Sequence, residues 1–216
     1  AERREPYAAP SGTCDGWPRL PIGMAKGFCA GLVAGPTAAD KARPMLFPRE
    51  LLQLDDETWL VSDLGGWGTA RGAVWTLRAK AGTPAKLSKL LSGLNLPHAL
   101  ALGADGKVYV GEMSRIFRFD PRAADPSASI ETVVANLPDN RLHENRHPLS
   151  AFAFAQDGAL LVNIGAPSDQ CLDAHGQRLG ELCPQSESGE RAASIRRYAP
   201  DGHGGWSRDY TIYARG

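Results

Sequence analysis

Short apolar runs separated by tight polar turns recur in three stretches of this chain that repeat one another. They are LFPRELLQLDDETWLVSDL (46–64), NLPHALALGADGKVYVGEM (95–113) and HPLSAFAFAQDGALLVNIG (147–165). The later strand after each copy alternates apolar with polar or basic residues, as in Arg115–Phe119, and alternation with period two marks half-buried strands. Aligned on Asp56, Asp105 and Asp157, the copies stand roughly 49 and 52 residues apart, the period of a propeller blade.

Each copy has the same order of elements. A short apolar strand comes first: Leu51–Leu54, Ala99–Leu102 and Ala151–Phe154. A tight turn follows, Asp-Asp-Glu in the first copy and Asp-Gly in the others. Asp-Gly suits a hairpin because glycine takes positive φ without steric cost. A second strand is predicted over Trp59–Val61, Val108–Val110 and Leu160–Asn163, and a further one over Ala73–Leu77, Arg115–Phe119 and Ser194–Tyr198. The pattern is ambiguous over Pro84–Leu94, where KLSKLLSGL fits two helical turns or an outer strand. Ile130–Val134 reads as an outer strand.

The expected fold is therefore all-β, a partial β-propeller of about three blades with the start of a fourth. The expected boundaries are an irregular arm over 1–44 and a partial propeller over 45–216. Its blades fall near 45–94, 95–138 and 139–205, with the next opening near 208. Complete propellers close with 4–8 blades, so the expectation is the N-terminal part of a longer protein.

Composition adds limits. Lys plus Arg and Asp plus Glu both number 24, so no basic footprint points to nucleic acid. No apolar run approaches the ~20 residues of a membrane-spanning helix. The opening AERREPYAAP has no apolar signal core and reads as a mature start after export processing or as an arbitrary boundary. The four cysteines form two local pairs, Cys14 with Cys29 and Cys171 with Cys183, neither at zinc-site spacing. Of the three pairings open to four cysteines, this one closes the shortest loops. Disulfides would place the protein in the periplasm or outside the cell, whereas inert thiols would suit the cytosol. The second pair brackets a long insertion, residues 166–192, of the kind that carries function in repeat folds.

Several residues have functional as well as structural readings. Asp63, with Gly65, Gly66 and Trp67, follows the second strand of the first copy; Trp67 could stack on a sugar or a quinone, or simply pack beside a tight turn. Glu112 is in the same place in the second copy, and His98 opens that copy's first strand. His143-Glu144-Asn145-Arg146-His147 fits the letters of a zinc-hydrolase motif, but that motif needs a helix, and Pro138 and Pro148 flank the segment. No glycine-rich nucleotide-binding loop is present.

The run RHPLSAFAFAQDGALLVNIGAPSDQC (146–171) resembles the soluble quinoprotein sugar dehydrogenases, six-bladed propellers that bind pyrroloquinoline quinone (PQQ) and calcium. LPHALALGADGKVYVGEMSRIFRFD (96–120) is similar to the preceding blade of that family. CDGWPRLPIGMAKGFCAGLVAG and FPRELLQLDDETWLVSDLGGW resemble its periplasmic branch, some of whose members are fused to cytochrome c. The resemblance implies oxidation of an aldose or related sugar or aldehyde. His147 would be the general base at the sugar C1 hydroxyl, and electrons would pass to a cytochrome c or another acceptor. General-base help of this kind contributes roughly 10²–10⁴-fold to rate.

The chain departs from the family pattern at two places. Arg146 stands where better-known members have an acidic residue, and Ala166 where they have the Asp that orients the histidine, leaving Asp169 as the nearest carboxylate. The final YARG (213–216) matches the start of a Tyr-Ala-x-Gly-x-Arg-Asn motif whose Arg-Asn pair would contact the quinone, which puts most cofactor contacts after Gly216. Two other functions fit the architecture. One is a propeller lactonase with a central metal held by Asp63, Glu112 and Asn163; the other is a binding module without catalysis.

Overall fold

The computed structural model describes residues 12–35, 45–138, 147, 149–168, 170–173, 175–178, 180, 181, 183–187 and 192–215. Two short strands, β1 (Thr13–Cys14) and β2 (Trp17–Pro18), pair in the N-terminal arm. Three four-stranded antiparallel meanders follow. The first contains β3 (Pro48–Asp55), β4 (Thr58–Asp63), β5 (Gly72–Arg78) and β6 (Lys86–Leu94). The second contains β7 (Leu100–Leu102), β8 (Val108–Gly111), β9 (Ile116–Phe119) and β10 (Glu131–Val134). The third contains β11 (Phe152–Phe154), β12 (Leu160–Ile164), β13 (Ser194–Pro200) and β14 (Trp206–Arg215). Each sheet is a propeller blade, with its strands in sequence order from first to last.

The blades pack face to face through two apolar layers. Leu60, Val74, Leu91 and Leu94 of the first blade meet Leu100, Val108, Val110, Phe117 and Phe119 of the second. Tyr109, Ile116 and Val134 on the opposite face of the second blade meet Leu160, Val162, Ile164 and Tyr198 of the third. The middle blade is thus covered on both faces. That is why β8 is buried at every position even though its side chains alternate in direction.

The ambiguous segment Pro84–Leu94 is a strand over Lys86–Leu94. Leu91 and Leu94 turn into the first layer, and Gly72–Arg78 supplies the pairing edge. Trp206–Arg215, expected to open another blade near 208, pairs with Ser194–Pro200 instead and is the outer strand of the third sheet. The third blade therefore extends to 215 rather than 205.

Both disulfides expected from the spacing are formed, Cys14–Cys29 and Cys171–Cys183. The first closes the arm on itself, and the arm lies on the outward face of the first blade. The arm's turn at Gly16 touches Gly82 in the β5–β6 hairpin, and Trp17 and Val33 share a cleft of about 550 Å³ with Trp59 and Leu77. The second closes the insertion between β12 and β13, where Arg215 of β14 pairs with Glu187. No helix among the described residues is long and apolar enough to cross a membrane.

The repeated turn is held by its aspartate. Asp105 accepts the Lys107 N–H at 3.1 Å and Asp157 accepts the Ala159 N–H at 3.1 Å, with Gly106 and Gly158 at φ 75° and 81°. In the first blade Asp55, not Asp56, does this, accepting Glu57 N–H at 3.0 Å. An arginine of the third strand serves each turn. Arg118 pairs with Asp105 and Arg197 with Asp157, while the charge of Arg78 acts on Asp55.

These contacts hold several carboxyls below their ordinary range: Asp157 through Arg197 and then Ala159 N–H, Asp55 through Glu57 N–H, and Glu131 through Arg118. A carboxyl depressed in the folded state adds stability above its unfolded pKa, and that contribution is lost as pH falls through the folded value. The urea midpoint should therefore fall between about pH 5 and pH 2. Asp157→Asn should flatten that fall, and an unchanged slope would remove the turn contacts as its cause.

Candidate functional site

At one end of each blade the chain arrives at the first strand by passing the end of the second. The arriving backbone has N–H groups with no ladder partner, and these are strong donors that seek an acceptor. Side chains on or just after the second strand provide them. Asp63 accepts the N–H groups of Phe47 at 2.8 Å, Gly65 at 3.0 Å and Leu46 at 3.3 Å. Glu112 accepts Asn95 N–H at 2.6 Å on one oxygen and Arg115 Nε–H at 2.5 Å on the other. Asn163 accepts the N–H groups of Ser150 at 2.9 Å and Ala151 at 2.8 Å, and its amide donates to Ser150 Oγ at 3.1 Å.

These three residues have one architectural task. Asp63 and Glu112 are buried while performing it. Among the described residues no three His, Cys, Asp or Glu side chains converge as a metal site.

His147 stands at the corresponding crossing of the third blade. Its Nδ1 lies 2.8 Å from the Ala166 carbonyl oxygen, and the ring is half-buried. A carbonyl can only accept, so in the neutral ring Nδ1 carries the proton and Nε2 carries the lone pair. The main chain of Ala166 thus orients the imidazole where the resemblance leads one to expect a carboxylate. Gly165 makes this approach feasible. A Cβ there would lie 2.6 Å from His147 Cβ and overlap its carbonyl oxygen. Asp169 lies outside the described residues, as do His143, Glu144 and Arg146.

His98 occupies the start of the second blade. Ser62 Oγ donates to its carbonyl at 2.6 Å, tying the first two blades together, and Glu50 of the first blade accepts Leu100 N–H at 3.1 Å. The His98 ring is half-buried and its Nδ1 has no hydrogen-bond partner. Burial first, and the Arg49 charge second, push its pKa down, against an opposing pull from the Ser150 backbone. Trp67 is 60% exposed, with the Phe47 ring centroid at 6.1 Å and the Arg49 guanidinium at 5.7 Å from its ring.

The contributions of Arg49 and of the Ala166 carbonyl were not legible in the sequence. An arginine in a strand has no distinguishing neighbour there, and a main-chain oxygen has no sequence signature.

Neither a protein-family profile nor a curated protein matches the chain. Among solved structures it is similar to a protein provisionally named a gluconolactonase, with TM-score 0.48, 14% identity, and coverage of 81% of this chain and 50% of that one. It is also similar to a Trichoderma reesei protein of carbohydrate-active enzyme family AA12. The iodide structure of that protein gives TM-score 0.46, 20% identity, and coverage of 70% of this chain and 35% of that one. Its calcium structure gives TM-score 0.46, 20% identity, and coverage of 72% and 37%. The chain spans half or less of the length of these structures.

Two outcomes follow from the geometry. Glu112→Ala leaves a buried N–H and the Arg115 guanidinium without their acceptor and should lower stability by about 1–3 kcal/mol in chemical denaturation. Imidazole ¹⁵N shifts should show His147 as the Nδ1–H tautomer in the native protein, and Gly165→Ala should abolish that signature. The opposite tautomer in the native protein would refute the Ala166 contact.

Proposed function

We propose that this chain is part of an exported sugar or aldehyde dehydrogenase that uses PQQ as hydride acceptor and calcium, with His147 as the base that removes the hydroxyl proton. The observation that carries this reading is the hydrogen bond from His147 Nδ1 to the Ala166 carbonyl. It directs the lone pair to Nε2, and it survives when Nε2 takes a proton, since Nδ1–H remains a donor throughout. The bond then becomes charge-assisted, which favours the protonated product of the transfer. A base so placed can accept a proton from an aldose C1 hydroxyl within hydrogen-bond reach.

The two disulfides suit an oxidising compartment, the periplasm or the outside of the cell. A cytochrome c or another acceptor would take the electrons. Among the described residues no three His, Cys, Asp or Glu side chains converge as a metal site, and PQQ and calcium enter this reading through the sequence resemblance alone. The lactonase alternative needs Asp63, Glu112 and Asn163 as metal ligands, and all three already hold backbone groups.

The test is dye reduction by the full-length protein supplied with PQQ and calcium, across a panel of aldoses. His147→Ala should lower turnover by about 10²–10⁴-fold with PQQ absorbance retained. Full activity in that variant would remove His147 from the chemistry, and no reduction with any sugar would remove the dehydrogenase reading.

A further inference from the structure

The loop after β4, Leu64–Arg71, is closed at its neck. Gly65 has φ 64°, and a Cβ there would overlap the Arg71 carbonyl, so only glycine permits the approach. Asp63 holds the Gly65 N–H from beneath. The closed loop presents Trp67 to solvent, a fixed aromatic platform rather than a core residue.

Two guanidinium groups attend this platform. Arg49 stands over the Trp67 ring. Arg71 folds back across the loop, where a Cβ at Gly68 would meet its Nε at 3.0 Å. Neither arginine has an ion-pair partner among the described residues, whereas Arg115, Arg118, Arg197 and Arg215 all do. The nearby carboxylates do not neutralise them by contact: Asp63 is committed to three backbone N–H groups and Glu50 to Leu100 N–H. His98 has a buried Nδ1 that lacks a partner, and it feels the charge of Arg49 and the backbone of Ser150. Ser150 is in turn held by Asn163 just after His147 in the chain. An exposed indole, two cations without counter-ions among the described residues and an imidazole nitrogen without a partner therefore lie at the end of the blades where their second strands finish.

We infer that this part of the rim is a subsite for a sugar bearing an anionic substituent, its ring on Trp67 and its anion between Arg49 and Arg71. An indole face takes the apolar side of a pyranose, and guanidinium forks match carboxylate and phosphate oxygens. The inference names a substrate class for the dehydrogenase reading above and rests on that reading for the reaction, though not for the binding.

Calorimetric titration of the full-length protein with glucuronate, glucose 6-phosphate and glucose separates the cases. At least one anionic sugar should bind about tenfold more tightly than glucose, the scale of one charge-assisted hydrogen bond. Added salt should narrow the difference. The anionic sugar with the larger preference identifies the anion as carboxylate or phosphate. Arg49→Gln and Arg71→Gln should each cut the anionic-to-neutral ratio about tenfold, with Arg49→Lys keeping part of it. Equal or tighter binding of glucose, or an unchanged ratio in both glutamine variants, would overturn the subsite. The titration reads binding without turnover. Anionic preference without oxidation would remove the dehydrogenase reading and leave the subsite, and oxidation of neutral aldoses without anionic preference would do the reverse.

Discussion

At each blade crossing a side-chain acceptor takes hold of backbone that no strand can pair. Asp63, Glu112 and Asn163 do this in the three blades, each on or just after a second strand and each on the segment that leads to a first strand. Each contact ties the segment that enters a blade to the end of that blade's second strand. Phe47 is held by Asp63 and packs on Trp67, and Ser150 is held by Asn163 beside His98. A carboxylate at the end of an inner strand looks like a metal ligand in sequence. Here the same group is a structural acceptor, because the crossing backbone reaches it first.

Below the rim the molecule is held by apolar layers, and at the opposite end by aspartate turns with arginine partners. The division has a physical reason. Strand interiors meet neighbouring blades on both faces and can be apolar throughout, as in Val108–Gly111. Blade ends meet water and loops, so they are polar, and their order must come from hydrogen bonds. Ser62 and Glu50 carry such bonds from the first blade to the second, joining rim to rim as well as layer to layer.

The parts legible in the sequence are those decided by near neighbours. The Asp-Gly turns could be read because an Asx contact spans two residues and glycine's φ is its own property. The first copy lacks that glycine, and the alignment on Asp56 slipped by one residue from Asp55, the actual acceptor. Lys86–Leu94 was ambiguous because its apolar residues fit either period, and only the partner strand and the adjacent blade decide it. Trp206–Arg215 was assigned to a new blade because the long insertion disturbs the repeat count, whereas its pairing to β13 is a distant contact. The rim was legible in its residue types but not in its connections. Asp63 finds acceptor duty with Leu46 and Phe47, well upstream, and His147 finds its partner in a main-chain oxygen.

Two histidines stand on this rim, and their surroundings suit them to different work. His98 has a ring drawn toward neutrality by burial and by Arg49, and a nitrogen without a partner. Protonating it adds a charge beside a guanidinium in a half-desolvated place, so it is a poor acceptor of protons and a good neutral hydrogen-bonding group. His147 has a carbonyl on Nδ1, and that bond strengthens when the ring becomes an imidazolium. A proton arriving at Nε2 is therefore met by a dipole already oriented for it. An oriented carbonyl cannot supply the full charge of a carboxylate, but it needs no deprotonation of its own and holds the same tautomer at every pH at which the ring is neutral. With alanine at 166, the imidazole is oriented by a main-chain oxygen rather than by a carboxylate. On the proposed reading, base chemistry on this rim falls to His147, and recognition falls to His98 and the arginines.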